Sequence, residues 1–269
     1  KPEADSRDRG RGTALNHISK NEPWLACPSP NPKAALRLFC FPYSGAGASI
    51  FYPWVASFPP AIEVCPVELP GRGKRIMESP FSRILPLVEA AGQGLLPYLD
   101  KPFAFFGHSL GAVAGFELAR LLQRRHTLSP VHLFVSGHRA PQIASDYPPV
   151  HDLPDSEFAE EVRRLHGTPD EVLDHAELRE LLLPILRADF AASETYAFEA
   201  GEPLTCPISA FGGLQDEHVT REHLEAWHEH TTAPFGVRML PGDHFFLNTS
   251  RSMLIAAIAR ELNQTMMLA

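Results

Sequence analysis

The sequence predicts an α/β domain built on a mostly parallel sheet flanked by helices. Three observations carry this. Short apolar runs recur along the chain without clean alternation, as strands buried on both faces of a parallel sheet should read. Segments with helical spacing lie between several of them. One stretch, from about 139 to 202, breaks the rhythm and shows helical patterning with no convincing strand.

The elements follow in order. Residues 1–34 begin polar and become Pro-rich ("CPSPNPK"), and are expected to form a flexible leader and linker. The domain is expected to occupy 35–269. "LRLFCF" (36–41) is the first strand, closed by the Gly- and Ser-rich loop "PYSGAGAS". "IEVCPV" (62–67) is the second, closed by "ELPGRGKR", and "FAFFG" (103–107) is the third. After Ser109, "LGAVAGFELARLLQRR" carries Val113, Phe116, Leu118, Leu121 and Leu122 at helical spacing. Arg124 and Arg125 fall at the helix end that favours cations. "VHLFVSG" (131–137), "CPISAFGG" (206–213) and "VRML" (237–240) supply three more strands. "REHLEAWHEH" (221–230) and "SMLIAAIARELNQ" (252–264) read as helices. The insertion at 139–202, with "PDSEFAEEVRRLHG" and "HAELRELLLPILRADFAASETYAF", is expected to lie over the sheet as a lid.

Composition narrows the class of function. With 269 residues, 44% hydrophobic and 21% charged, the chain can bury a large core. A net charge of -8 argues against nucleic acid or an anionic membrane as the main partner. No apolar run reaches the roughly 18 residues that span a bilayer. The N-terminal stretch has no apolar h-region, and the four cysteines lack C-x-x-C spacing. Reduced, buried thiols and a cytoplasmic location are therefore expected over disulfides or zinc; a monomer is expected as well.

The stretch "FFGHSLGA" (105–112) places Ser109 between two glycines, after a strand and before a helix. It fits G-x-S-x-G in the context that the α/β-hydrolase nucleophile elbow requires. The turn pushes the hydroxyl out at the top of the sheet, and the helix N-terminus directs partial positive charge at developing negative charge. The competing reading is a plain turn serine.

A serine hydroxyl needs a base. In this fold the partners follow in the order serine, acid, histidine, each after a later strand. "FGGLQDEHV" supplies Asp216 and "PGDHFFL" supplies His244. Rivals are present among the 13 histidines and the neighbouring acids. His218 is expected at the surface, and Asp243 suits a turn-forming role beside His244. Two backbone N–H groups are needed for an oxyanion hole. Leu110 is expected to give one. The loop "PYSGAGAS" should give the other, with Tyr43 the first choice and Ser44 the second; a simple Gly-rich turn is the alternative for that loop.

With these residues assembled, the chain resembles the type II thioesterases, free-standing α/β-hydrolases that serve nonribosomal peptide and polyketide synthases. The likeness runs from about Leu36 to about Leu262. It rests on "FPYSGAGAS", "ELPGRGKR", "FFGHSLGA", "LPILRADF...ETY", "GLQDEHV" and "PGDHFFLN". Two departures stand out: Tyr43-Ser44 where His-Ala is frequent in the family, and "GDHFF" in place of the common Gly-Gly-His form.

The resemblance implies hydrolysis of acyl groups from the phosphopantetheine arm of acyl or peptidyl carrier proteins, clearing stalled synthases. It implies no metal and no organic cofactor. A medium-chain fatty acyl release thioesterase is the alternative within the same architecture. A carrier-binding module with a vestigial hydrolase site is the alternative outside enzymology, and the intact Ser109, Asp216 and His244 set argues against it. Carrier proteins are acidic as a class, so a local basic docking patch is expected. Arg72, Lys74, Arg75 and Arg139 are its candidates.

Overall fold

The computed structural model describes residues 23–165 and 167–268. Six strands form one sheet: β1 (Leu36–Phe41), β2 (Ile62–Pro66), β3 (Phe103–His108), β4 (His132–Ser136), β5 (Ile208–Gly213) and β6 (Phe235–Leu240). Their order is β2-β1-β3-β4-β5-β6 and every pairing is parallel. Nine helices of α type are described: α1 (Tyr52–Val55), α2 (Ile84–Leu95), α3 (Leu110–His126), α4 (Asp155–Arg164), α5 (Asp170–Asp174), α6 (Ala176–Glu194), α7 (Arg221–Glu225), α8 (Phe246–Thr249) and α9 (Arg251–Leu268).

The apolar runs lack alternation because both faces of the sheet are covered. Phe39, Phe41, Phe103 and Phe105 pack with α2 and α3 on one side. Leu36, Leu38, Cys40, Ala104 and Phe106 pack with Trp54 and α9 on the other. Burying one Phe or Leu side chain contributes roughly 1.5–3 kcal/mol, so these two layers dominate the stability of the sheet. The exception inside the first run is Arg37. It stands opposite Glu63 in the β1–β2 register, and its Nε donates to Glu63 Oε2 at 2.9 Å. Asp100 closes the same ion pair from the other side. A buried arginine is tolerated here because two carboxylates, Glu63 and Asp100, and the Tyr98 carbonyl accept from its guanidinium.

One sequence expectation changes. Residues 1–22 lie outside the described residues, but Trp24–Cys27 are not linker. Leu25 bridges Val67 antiparallel to the edge of the sheet, and Trp24, Leu25 and Cys27 are buried in the main core. The Arg75 guanidinium lies 4.1 Å from the Trp24 ring centroid. Packing overrides the Pro-rich composition that reads as linker, so the folded body extends at least to Trp24. The helix α2 has no clear signal in the sequence. Its buried positions Ile84, Leu87, Val88, Ala91 and Leu95 do follow helical spacing, but Pro86, Gly92 and Gly94 mask it.

Between β4 and β5 the chain forms α4, α5 and α6. Phe158, Ala159, Val162, Leu173, Leu183 and Leu186 close a small apolar cluster of their own. Beyond α6, Tyr196 and Phe198 pack back onto the main core. All four cysteines are buried and free. Among the described residues no helix is long and apolar enough to cross a membrane.

Candidate active site

Parallel pairing puts the C-terminal ends of all six strands at one edge, and the loops leaving them meet there. The loop after β3 is a single strained residue. Ser109 sits at φ 52, ψ -118, a conformation that costs a non-glycine residue on the order of 1–3 kcal/mol. The flanking glycines make this turn possible. A Cβ on Gly107 would lie 2.0 Å from Gly111 O, and one on Gly111 would lie 2.2 Å from Phe41 O. The elbow is therefore pressed against itself and against the end of β1. The Ser109 amide donates to Ser136 O at 2.8 Å, which ties the turn to β4.

Asp216 leaves the sheet after β5 and His244 after β6. They meet: His244 Nδ1 and Asp216 Oδ2 lie 2.8 Å apart, with the Asp216 side chain fully closed to solvent. Asp216 Oδ1 also accepts from the amides of His218 and Val219. Burial pushes this carboxyl up. The His244 bond and charge and the two amides outweigh it, and hold it below the usual carboxylate range. An ionised Asp216 fixes the proton of a neutral His244 on Nδ1 and leaves Nε2 as the basic atom. Asp243, the rival acid, does what a turn residue does: its carboxylate accepts from Phe245 N at 2.8 Å and its carbonyl from Phe246 N. His218 is partly covered rather than fully exposed, with Tyr147 edge-on at 4.7 Å.

His108, which sequence reasoning did not single out, lies under the site. It is completely buried, immediately precedes Ser109, and its ring centroid is 5.1 Å from that of His244. Its Nδ1 bonds Ser136 Oγ at 2.9 Å. Burial, then the nearness of His244, pushes this imidazole well below its ordinary range, so it stays neutral beside His244. Among the described residues no hydrogen bond runs from Ser109 Oγ to His244; in ligand-free sites such contacts are commonly long and tighten with substrate.

The loop after β1 carries the other expected donor. Ala46 N donates to Tyr43 O, Ala48 N to Glu68 Oε1, and Gly45 N to Asp189 Oδ2. Acceptors for the Tyr43, Ser44 and Leu110 amides are absent among the described residues. The Tyr43 ring stacks edge-on against Phe245 at 5.1 Å, and burial pushes its phenol up against the opposing pull of a hydrogen bond with Asn248.

The residue 36–265 segment matches the family model described as "Thioesterase domain". The chain belongs to the thioesterase family. It is a hydrolase acting on thioesters, and its relatives agree. This thioesterase is 47% identical to the gramicidin S biosynthesis protein GrsT of Aneurinibacillus migulanus, over 92% of its own length and 97% of that protein. It superposes on the RedJ thioesterase of the prodiginine pathway in Streptomyces coelicolor with TM-score 0.79 and 42% identity, covering 85% of this chain and 86% of that one. It superposes on BorB, the type II thioesterase of the borrelidin cluster, with TM-score 0.81 and 36% identity, covering 89% and 97%.

The thioesterase does not present the expected basic patch. Arg72 is buried and doubly bonded to Asp189, and Arg75 is buried between Trp24 and Glu78. Arg139 is half-buried and donates to Ile143 O. Of the four candidates only Lys74 is exposed. The carboxylate that holds Arg72 lies 117 positions along the chain, and the ring that covers Arg75 is Trp24 far upstream, so the string "PGRGKR" alone reads as a solvated basic loop.

Proposed function

We propose that this thioesterase hydrolyses acyl groups from the phosphopantetheine arm of carrier proteins, and so clears stalled nonribosomal peptide or polyketide synthases. The observation that carries the reading is the Asp216–His244 pair beside the strained Ser109 elbow, in a chain of this family.

The chemistry runs as follows. Ser109 Oγ attacks the thioester carbonyl while His244 Nε2 takes its proton. The amides of Leu110 and Tyr43 receive the oxyanion, backed by the positive end of α3, whose first turn carries no acidic residue. Asp216 keeps the imidazole oriented and stabilises its cationic form. The tetrahedral intermediate collapses, the C–S bond breaks, and His244 returns the proton to the departing thiolate. Water then attacks the Ser109 ester, its proton passing to His244 and on to Ser109 Oγ, and the carboxylic acid leaves.

Hydrolysis of a panel of acyl groups, each offered on a carrier protein and on coenzyme A, tests this reading. Contacts remote from the carbonyl lower the barrier only when the substrate provides them. Carrier-bound substrates should therefore give the higher kcat/KM at every chain length. Equal values on both thiols would contradict the carrier assignment, and a strong optimum at medium fatty chains would favour fatty acyl release.

A further inference from the structure

The insertion touches the oxyanion loop through one buried carboxylate. Asp189, on α6, is only 2% exposed. Its Oδ2 accepts the Gly45 amide at 2.7 Å and Arg72 Nη1 at 2.7 Å, while Oδ1 accepts Arg72 Nη2 at 2.8 Å. Arg72 then reaches the same loop, donating from Nη1 to Ala46 O at 3.2 Å, and its Nε bonds Pro70 O. One turn earlier on α6, Leu186 packs against Gly45. A Cβ there would lie 2.4 Å from Leu186 Cδ2, and Gly45 has φ +78. So two residues three apart on one helix face grip the segment that follows Tyr43 and Ser44, one by charge and one by shape.

The arrangement sorts the amides of this loop. Asp189 engages Gly45 N, Tyr43 O engages Ala46 N, and the Tyr43 and Ser44 amides are left with no acceptor among the described residues. An unanchored Gly-rich loop could turn any of these donors inward or away. Oxyanion stabilisation depends on donors that are already aimed before the charge develops.

We propose that Asp189, held by Arg72, is the positioning residue of the oxyanion loop. It acts through the Gly45 amide and touches neither substrate nor reacting atoms. The inference rests on the reading of Ser109 and its oxyanion donors given above, and it makes α6 a fixed wall of the site.

A buried ion pair can also be a mere staple, so the test must separate the two roles. Replacing both partners by apolar residues of similar volume (Arg72→Met with Asp189→Leu) removes the charges together and is commonly tolerated by a core. It also removes the Gly45 acceptor. Asp189→Asn retains an oxygen for that amide. We expect the double variant to keep its Tm within a few degrees and its KM for a small model thioester within about two-fold. Its kcat should fall about 100-fold, the scale of losing an oxyanion donor. Asp189→Asn should lose less than about ten-fold. Wild-type kcat in a folded double variant would overturn the proposal. So would equal losses in the double and Asn variants that simply follow Tm. Ser109→Ala is run alongside, because an active Ser109→Ala enzyme would overturn the nucleophile assignment instead. Exchange of the Gly45 amide with deuterated solvent then judges the clamp without reference to turnover. Faster exchange in the double variant supports it and unchanged exchange contradicts it.

Discussion

The Asp216 carboxylate is sealed from solvent and bonded to His244 Nδ1, while Asp243, next to that histidine in sequence, bonds, among the described residues, only backbone amides of its own turn. The carboxylate that His244 bonds thus lies 28 positions away in sequence, not next to it. Asp216→Asn should lower kcat by up to about four powers of ten, because an amide favours the wrong imidazole tautomer. Asp243→Asn should cost less than about ten-fold. Steady-state rates on a small thioester decide it, and the reverse ranking would place the acid at 243.

The elbow tolerates no side chain at its second glycine. Gly111→Ala puts a methyl 2.2 Å from a backbone oxygen of β1. Either β1 or α3 must shift, and the amides proposed for the oxyanion hole, those of Tyr43 and Leu110, lie just after β1 and at the start of α3. We expect loss of nearly all activity together with a lowered Tm. A variant with wild-type Tm and kcat would show that the elbow is looser than its geometry states.

Trp24 should behave as core. Trp24→Ala removes a buried indole and the ring beneath the Arg75 guanidinium. The expected loss is about 3 kcal/mol or more of unfolding free energy by urea denaturation. A change within about 0.5 kcal/mol would restore the linker reading of this segment.

Acid should destabilise the fold before its carboxylates titrate. Burial pushes His132, His138 and His230 each down to about 4. An unfolded histidine binds its proton near 6.5. Between those values the unfolded chain holds more protons than the native one, so stability is full above about 6.5 and lost as pH falls toward 4. Each group adds at most about 1.4 kcal/mol per pH unit to that slope. His132→Gln, which keeps a partner for Ser209, should flatten the slope by that amount. Urea midpoints at pH 7.5, 6 and 5 measure it, and an unchanged slope would mean that His132 titrates normally.

Much of this was legible in the sequence, for physical reasons. Strands covered on both faces read as mostly apolar runs, so β1, β3 and β4 announce themselves within about a residue of their ends. The elbow is legible because Gly107 and Gly111 are required by backbone contact rather than by chance. Asp216 and His244 follow from strand order, and the structure brings them together. What stayed hidden depends on distant partners. Arg72 looks like a surface charge until Asp189 is folded onto it. His108 reads as one more residue of a strand until its contacts with Ser136 and His244 appear. Trp24 is concealed by prolines that follow it, and α2 by the proline and glycines within it.

Ser109 is the nucleophile that the proposed chemistry requires. The most direct measurement is hydrolysis of an acyl-carrier thioester by Ser109→Ala, with Tm recorded on the same sample. We expect an unchanged Tm and a rate lower by several powers of ten, since members of such a site act as a unit. A folded Ser109→Ala enzyme that kept most of its activity would contradict that assignment.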